Sequence, residues 1–179
     1  MRKLFLSAGH SLNETGAIAN NFKEADLTID LRNLIAQEIR RLNSLAYVQL
    51  DSDKMSLRTY VAELSKKISP NDIIIDIHFN SASPSTTGTE AFIPFRATVE
   101  EQVLAGKVCN TISTTLNIKN RGVKLESQSQ YRSLAIMRPN CTNLLFEVCF
   151  ITNANDMKAY IKNKIKLAKQ LATVFSYYL

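Results

Sequence analysis

Asp72-Ile-Ile-Ile-Asp-Ile-His-Phe79 is a mostly continuous apolar run, bounded upstream by Pro70 and downstream by a polar stretch. A run of that length and β-branched content reads as a central strand buried on both faces. Such strands belong to parallel sheets, so helical segments should lie between this strand and its neighbours. The rest of the chain fits that demand. Lys3 to Ala8 is a short apolar run ending in Gly9, and Tyr47 to Leu50 is a brief one. Thr89 to Phe95, Leu134 to Met137 and Leu144 to Phe150 supply further strands.

Between them the apolar spacing turns helical. Glu24 to Leu42 carries Leu27, Leu31, Leu34, Ile35 and Leu42. Ser56 caps a second helix with Leu57, Val61, Leu64 and Ile68, closed by Pro70. Thr98-Val-Glu-Glu101 is a capping box, predicting a helix with Val103, Val108 and Ile112 inward. Asn155 starts a last helix, in which Met157, Ile161, Ile165, Ala168, Leu171 and Phe175 recur at three- and four-residue steps. The expected fold is therefore α/β, a largely parallel sheet of about six strands flanked by helices. With no Gly-, Ser- or Pro-rich linker, residues 1–179 are expected to form a single domain.

Composition excludes several classes. The 179 residues are 45 % hydrophobic and 21 % charged, with only 5 Gly and 4 Pro, which is neither disordered nor fibrous composition. Three cysteines with no CxxC argue against a disulfide framework or a cysteine zinc knuckle. A net charge of +6 suits an anionic partner: nucleic acid, anionic lipid or bacterial wall polymer. Nucleic acid is disfavoured because the basic residues are dispersed and no recognised nucleic-acid motif occurs. No stretch approaches the roughly 18 apolar residues of a membrane span. The opening Met1-Arg-Lys-Leu-Phe-Leu6 imitates a signal peptide, but its apolar stretch stops at Ser7. The expectation is synthesis in the cytoplasm without a signal peptide.

In parallel sheets the site lies where strands end and loops begin. That singles out Gly9 to Asn21, His78 to Gly88 and the segment from Glu147 to Asn153. The two histidines, His10 and His78, both fall at strand ends. Neutral imidazole is the commonest protein ligand for zinc, although a lone histidine there is often structural. Glu147 stands in the otherwise apolar Leu144-Leu-Phe-Glu-Val-Cys-Phe150. A carboxylate in a core strand costs several kcal/mol unless cations or donors meet it. Two explanations compete: an ion pair with an arginine such as Arg138, or a general base whose pKa is raised by desolvation. Asp76 shares a face with His78 and could hold its tautomer, or simply accept from backbone. Glu24 by itself reads as an acid favoured by the helix dipole. Two His and one Glu are nevertheless a known catalytic zinc set.

The ordered segments resemble the zinc-dependent N-acetylmuramoyl-L-alanine amidases of the Amidase_3 family. The matching pieces are Leu6-Ser-Ala-Gly-His-Ser11 with Gly16-Ala17, Lys23-Glu-Ala-Asp-Leu27, and Asp76-Ile-His-Phe-Asn-Ser-Ala82 with Gly88-Thr-Glu90. Asn120-Arg-Gly-Val-Lys124 with Leu134-Ala-Ile-Met-Arg138, and Phe146-Glu-Val-Cys-Phe-Ile-Thr-Asn153, complete the set. The resemblance implies His10, Glu24 and His78 as Zn2+ ligands and Glu147 as catalytic base. It implies hydrolysis of the amide between the lactyl group of N-acetylmuramic acid and L-alanine, with peptidoglycan as partner and the bacterial cell wall as place of action. A monomer is expected.

Gly-His-Ser is closer to the phage endolysin branch than the Gly-His-Gly-Gly common in the family. Leu50-Asp51 replaces the family's Thr-Arg, and Cys149 stands where Gly is frequent; strand parity sets its thiol on the face of Glu147. Residues 125–133 form a longer loop than usual. Arg121 and Arg138 could meet substrate carboxylates, and the lysines of the last helix could face wall polymer. The competing readings are another zinc hydrolase, such as a carboxypeptidase or acyl-amino-acid amidohydrolase, and a non-catalytic basic wall-binding module.

Overall fold

The computed structural model describes residues 2–179. Six strands make the central sheet: β1 (Lys3–Ala8), β4 (Tyr47–Leu50), β5 (Ile73–Asn80), β6 (Thr89–Ile93), β7 (Asn120–Leu125) and β8 (Thr142–Phe150). Their spatial order is β4-β1-β5-β8-β6-β7. The first four of these run parallel, β6 is antiparallel to β8, and β7 is parallel to β6. A small hairpin of β2 (Ile18–Ala19) and β3 (Phe22–Lys23) stands apart. Its two-residue turn is Asn20-Asn21, both with positive φ, as a type I′ turn demands.

The helices are α1 (Glu24–Leu42), α2 (Leu57–Lys67), α3 (Val99–Leu116) and α4 (Ala154–Ser176). The alternation of side chains along the strands sorts them onto two faces. Leu4, Leu6, Ile73, Ile75, Ile77 and Phe146 pack in one buried cluster with the apolar stripes of α1, α3 and α4. Phe5, Ile74, Phe92 and Leu145 pack in a second, smaller cluster with Tyr60 and Leu64 of α2 and with Ile136 and Met137. That second face is only partly covered, and its open portion becomes the cleft. Among the described residues, no helix is long and apolar enough to cross a membrane.

Ser56 and the Thr98/Glu101 capping box cap α2 and α3 as the sequence predicts. Other expectations need correction. Leu134 to Met137 is not a strand: Ala135–Met137 is a single 3-10 turn, with Ile136 and Met137 buried against the sheet face. Both neighbours of β8 in the sheet are already taken by β5 and β6, so this apolar segment is buried by packing instead of pairing. β7 was not among the predicted strands; it is a half-buried edge strand containing Gly122 and lacks the apolar alternation of a buried one. Val103, Ile161 and Ile165 point outward. The buried stripe of α4 runs instead through Met157, Tyr160, Leu167, Ala168, Leu171 and Phe175. The helix begins one residue before Asn155, with the Asn153 side chain accepting from the Asn155 and Asp156 amides.

The strand-parity expectation for Cys149 also fails. His78 pairs with Glu147, but Asn80 pairs with Phe150, so β8 holds an extra residue in a bulge. The bulge turns Phe150 to the cleft and leaves Cys149 fully buried in the opposite core cluster. Burial pushes that thiol well above its usual pKa, and the nearby Asp156 and Glu147 charges add to the effect.

Phe146 has no exposed surface. Phe146→Ala is expected to cost about 3–5 kcal/mol by loss of burial and cavity formation. Ile165→Ala, half-exposed at 50 %, should stay within about 0.5 kcal/mol. Urea unfolding of the two variants checks both the core and the outward position of Ile165.

Candidate active-site cleft

Glu24 is the first residue of α1, yet its side chain is only 5 % exposed. The carboxylate accepts from two backbone amides: Ala17 N to Oε2 at 3.0 Å and Phe79 N to Oε1 at 3.0 Å. Each oxygen also meets an imidazole. His10 Nε2 lies 3.2 Å from Oε2, and His78 Nδ1 lies 3.1 Å from Oε1. The two rings stand 5.1 Å apart, edge to face. Three candidate ligand atoms, one from each side chain, lie within 4.8 Å of one another. Their chemistry, two imidazole nitrogens and a carboxylate, fits a divalent cation such as zinc.

The backbone around this cluster is shaped for close approach. Gly9 leaves no room for a Cβ beside the His78 ring. Gly16 has φ of +66°, and a Cβ there would fall 2.5 Å from the His10 ring and 2.7 Å from Glu24 Oε2. The turn carrying His10 is tied down by Gly9 N to Ile77 O, 2.8 Å, and by Leu12 N to Asp53 O, 2.7 Å. Asp53 and Asp51 both bond the buried Arg32 of α1 at 2.6 Å, and Asp51 accepts from the Ala8 amide. Asp51 is thus the ion-pair partner of Arg32, a role its isolated position after β4 did not reveal.

Asp76 resolves toward the imidazole: His78 Nε2 lies 3.2 Å from Asp76 Oδ2. With Nε2 donating to Asp76, Nδ1 is the ring nitrogen that faces Glu24 and the cleft, and it would offer its lone pair to a cation bound there. Burial opposes protonation of His78, but the charge and hydrogen bond of Asp76, with Glu24 adding, outweigh it and raise its pKa well above the ordinary value. For Glu24, burial works against the charge and the two imidazoles more than compensate, holding its carboxyl far below the usual range.

Glu147 sits directly across from His78 in the β5–β8 register. Its Oε2 is buried without a hydrogen-bond partner. Burial drives its pKa up to about 8; His78 opposes the shift, and Glu24, Glu90 and Asp76 reinforce it. Among the described residues no arginine or lysine pairs with it, so the ion pair with Arg138 does not form. Arg138 is exposed. A desolvated carboxyl titrating near neutrality suits proton transfer.

The cleft holding these groups is about 840 Å³. One wall comes from the loop after β7, through Gln128 to Tyr131 and Ser133, so the long loop at residues 125–133 borders the site. The other side holds Asn80, Glu90, Arg121 and Lys124. Glu90 had no assigned role in the sequence; a carboxylate beside Ala91-Phe92-Ile93 was the available signal. Of the lysines on α4, Lys164 pairs with Asp30 of α1 at 2.6 Å.

The parallel-sheet domain, with acids and imidazoles gathered at strand ends over one face, defines a hydrolase-type cleft able to hold a metal. The chain belongs to the Amidase_3 family, N-acetylmuramoyl-L-alanine amidase, whose model matches residues 4–175. It is a peptidoglycan hydrolase of that class. It is 26 % identical over 183 residues to the N-acetylmuramoyl-L-alanine amidase LytC of Bacillus subtilis, a match covering 98 % of this chain and 35 % of LytC. The chain therefore spans about a third of that relative. Its fold is similar to the catalytic domain of CwlV, an N-acetylmuramoyl-L-alanine amidase from Paenibacillus polymyxa, with TM-score 0.82, 18 % identity and coverage of 99 % and 98 %. It is also similar to the catalytic domain of the CD27L endolysin targeting Clostridia difficile, with TM-score 0.78, 19 % identity and coverage of 97 % and 96 %.

Gly16→Ala is expected to lose about 1–3 kcal/mol, because the left-handed backbone and the His10–Glu24 contact both resist a Cβ. Gly106, inside α3 with nothing near its Cβ position, should tolerate alanine and gain about 0.5–1 kcal/mol. Thermal melting of both variants reads the difference.

Proposed function

We propose that His10, Glu24 and His78 hold a zinc ion and that Glu147 is the general base, together hydrolysing the amide between the lactyl group of N-acetylmuramic acid and the L-alanine of the stem peptide. One observation supports this most: two imidazoles and a buried carboxylate converge in a cleft, opposite a second carboxyl with no protein partner. Zinc bound there supplies Lewis acidity toward the scissile carbonyl and toward water.

The chain's own residues do the rest. Asp76 holds the His78 ring so that Nδ1 faces the cleft. The Ala17 and Phe79 amides fix both oxygens of Glu24. Glu147 takes the proton from the attacking water and returns it to the departing L-alanine amine. Its unpartnered oxygen and raised pKa suit both halves of that transfer, since a weak acid is a usable base near neutrality and a usable donor afterwards. The products are the glycan, with its lactyl carboxylate, and the free stem peptide. The site of action is the bacterial cell wall.

Wild-type protein should generate new alanine amino termini from purified wall, lose that activity on chelation, and regain it with zinc. Release of reducing sugar ends instead would mark glycan cleavage and refute the reading. Glu147→Gln should keep one zinc per chain by metal analysis while turnover falls by about 100- to 10,000-fold. Loss of metal in that variant would make Glu147 a ligand, not a base. Asp76→Ala should weaken zinc affinity by about 10- to 100-fold in a competition titration, because the imidazole loses its orienting acceptor.

A further inference from the structure

His78, Glu147 and Glu90 form one row across β5, β8 and β6. His78 and Glu147 are register partners, and so are Glu147 and Glu90. Directly opposed residues project from the same face of a sheet. Glu90 therefore stands in the cleft, one strand beyond the proposed base. Its side chain is 5 % exposed and fully engaged. Oε1 accepts from Asn80 Nδ2 at 2.8 Å, and Oε2 accepts from Arg121 Nε at 2.6 Å and from Lys124 Nζ at 2.5 Å.

One cation would balance that carboxylate. Two are present, so the trio carries a surplus positive charge inside the cleft. Arg121 is also held as a rigid plate. Its guanidinium lies 5.0 Å from the Phe150 ring centroid, over the residue that the β8 bulge turned to this side. Gly88 leaves space for its stem, since a Cβ there would fall 3.0 Å from Arg121 Cγ. The bond to Glu90 uses Nε, and among the described residues nothing bonds the two terminal nitrogens. A planar pair of free N–H groups, backed by a carboxylate and an aromatic ring, is a fork for another carboxylate.

Distance selects which one. Arg121 bonds Glu90, one strand or about 5 Å across from Glu147, and its guanidinium lies over Phe150, which the bulge sets about 7 Å further along the sheet, so the fork stands roughly 8–9 Å from the proposed base. Two extended peptide residues span about 7 Å, and a carboxylate stands about 4 Å from the guanidinium carbon it pairs with. The reach from the scissile nitrogen to Arg121 thus matches a carboxylate on the second stem residue. We propose that Arg121, held by Glu90 and Phe150 and reinforced by Lys124, binds the free α-carboxylate of the second residue of the stem peptide, so that the enzyme prefers stems bearing the acid over stems in which it is amidated. The assignment rests on the amidase reading of the cleft.

The test uses zinc-reconstituted full chain and two muropeptides, N-acetylmuramoyl-L-alanyl-γ-D-glutamyl-L-lysine and its D-isoglutaminyl counterpart. Wild type should favour the acid by about 10- to 100-fold in kcat/KM, the scale of a charge-assisted hydrogen bond. Arg121→Gln should bring that ratio close to one. Arg121→Lys, which keeps the charge but not the fork, should retain only part of it. A wild-type ratio near one, or a ratio unchanged in Arg121→Gln, overturns the assignment. Calorimetric binding of the two free tripeptides to wild type and Arg121→Gln reads the same preference without turnover. If neither muropeptide is cleaved, the amidase reading fails by itself, and the tripeptide titration still decides the fate of Arg121.

Discussion

A carboxylate buried at the mouth of α1 holds the site together. Glu24 accepts from the Ala17 and Phe79 amides while touching both imidazoles, so one side chain ties the β2–β3 hairpin, the turn after β1 and the end of β5. Burying a charge is costly unless donors surround it, and here the donors come from three separate pieces of chain. The arrangement exists only when those pieces are docked. Gly9 and Gly16 follow from the same constraint, because a Cβ at either would enter the space of the rings.

The sheet extends this centre into a binding surface. One face is sealed by α1, α3 and α4, and the other is only partly covered by α2 and the turn at Ala135–Met137. On the open portion the ionisable row of His78, Glu147 and Glu90 passes from a candidate metal ligand, through an unpartnered acid, to an acid saturated by two cations. Environment, not residue type, separates the two glutamates: desolvation raises Glu147 to about 8, whereas Lys124 and Arg121 overcome burial and lower Glu90. The bulge in β8 makes this possible, since it brings Phe150 under Arg121 and removes Cys149 from the cleft.

Much of this was legible in residue pattern. Strand-helix alternation and the caps at Ser56 and Thr98 are local signals, and local hydrogen bonding realises them directly. Glu147 stood out because an acid in a core strand is anomalous. Glu24 did not, because acids are ordinary in a first helical turn; only the family resemblance raised it. The 134–137 segment departs from the expected strand because apolar content signals burial without saying whether pairing or packing provides it. β7 escaped for the complementary reason, as an edge strand needs little apolar surface.

Periodicity and anomalous polar residues are properties of short stretches, so the class of fold, the central strand and the candidate reactive groups can be read from residue order alone. The convergence of His10, Glu24 and His78, the facing of Asp76 and an imidazole, the Asp51–Arg32 pair and the turning away of Cys149 come from long-range packing. Those outcomes depend on register between strands distant in sequence and on a single extra residue in β8. With a side-chain period of two, one residue of register decides which face a group meets, and no local stretch encodes that choice.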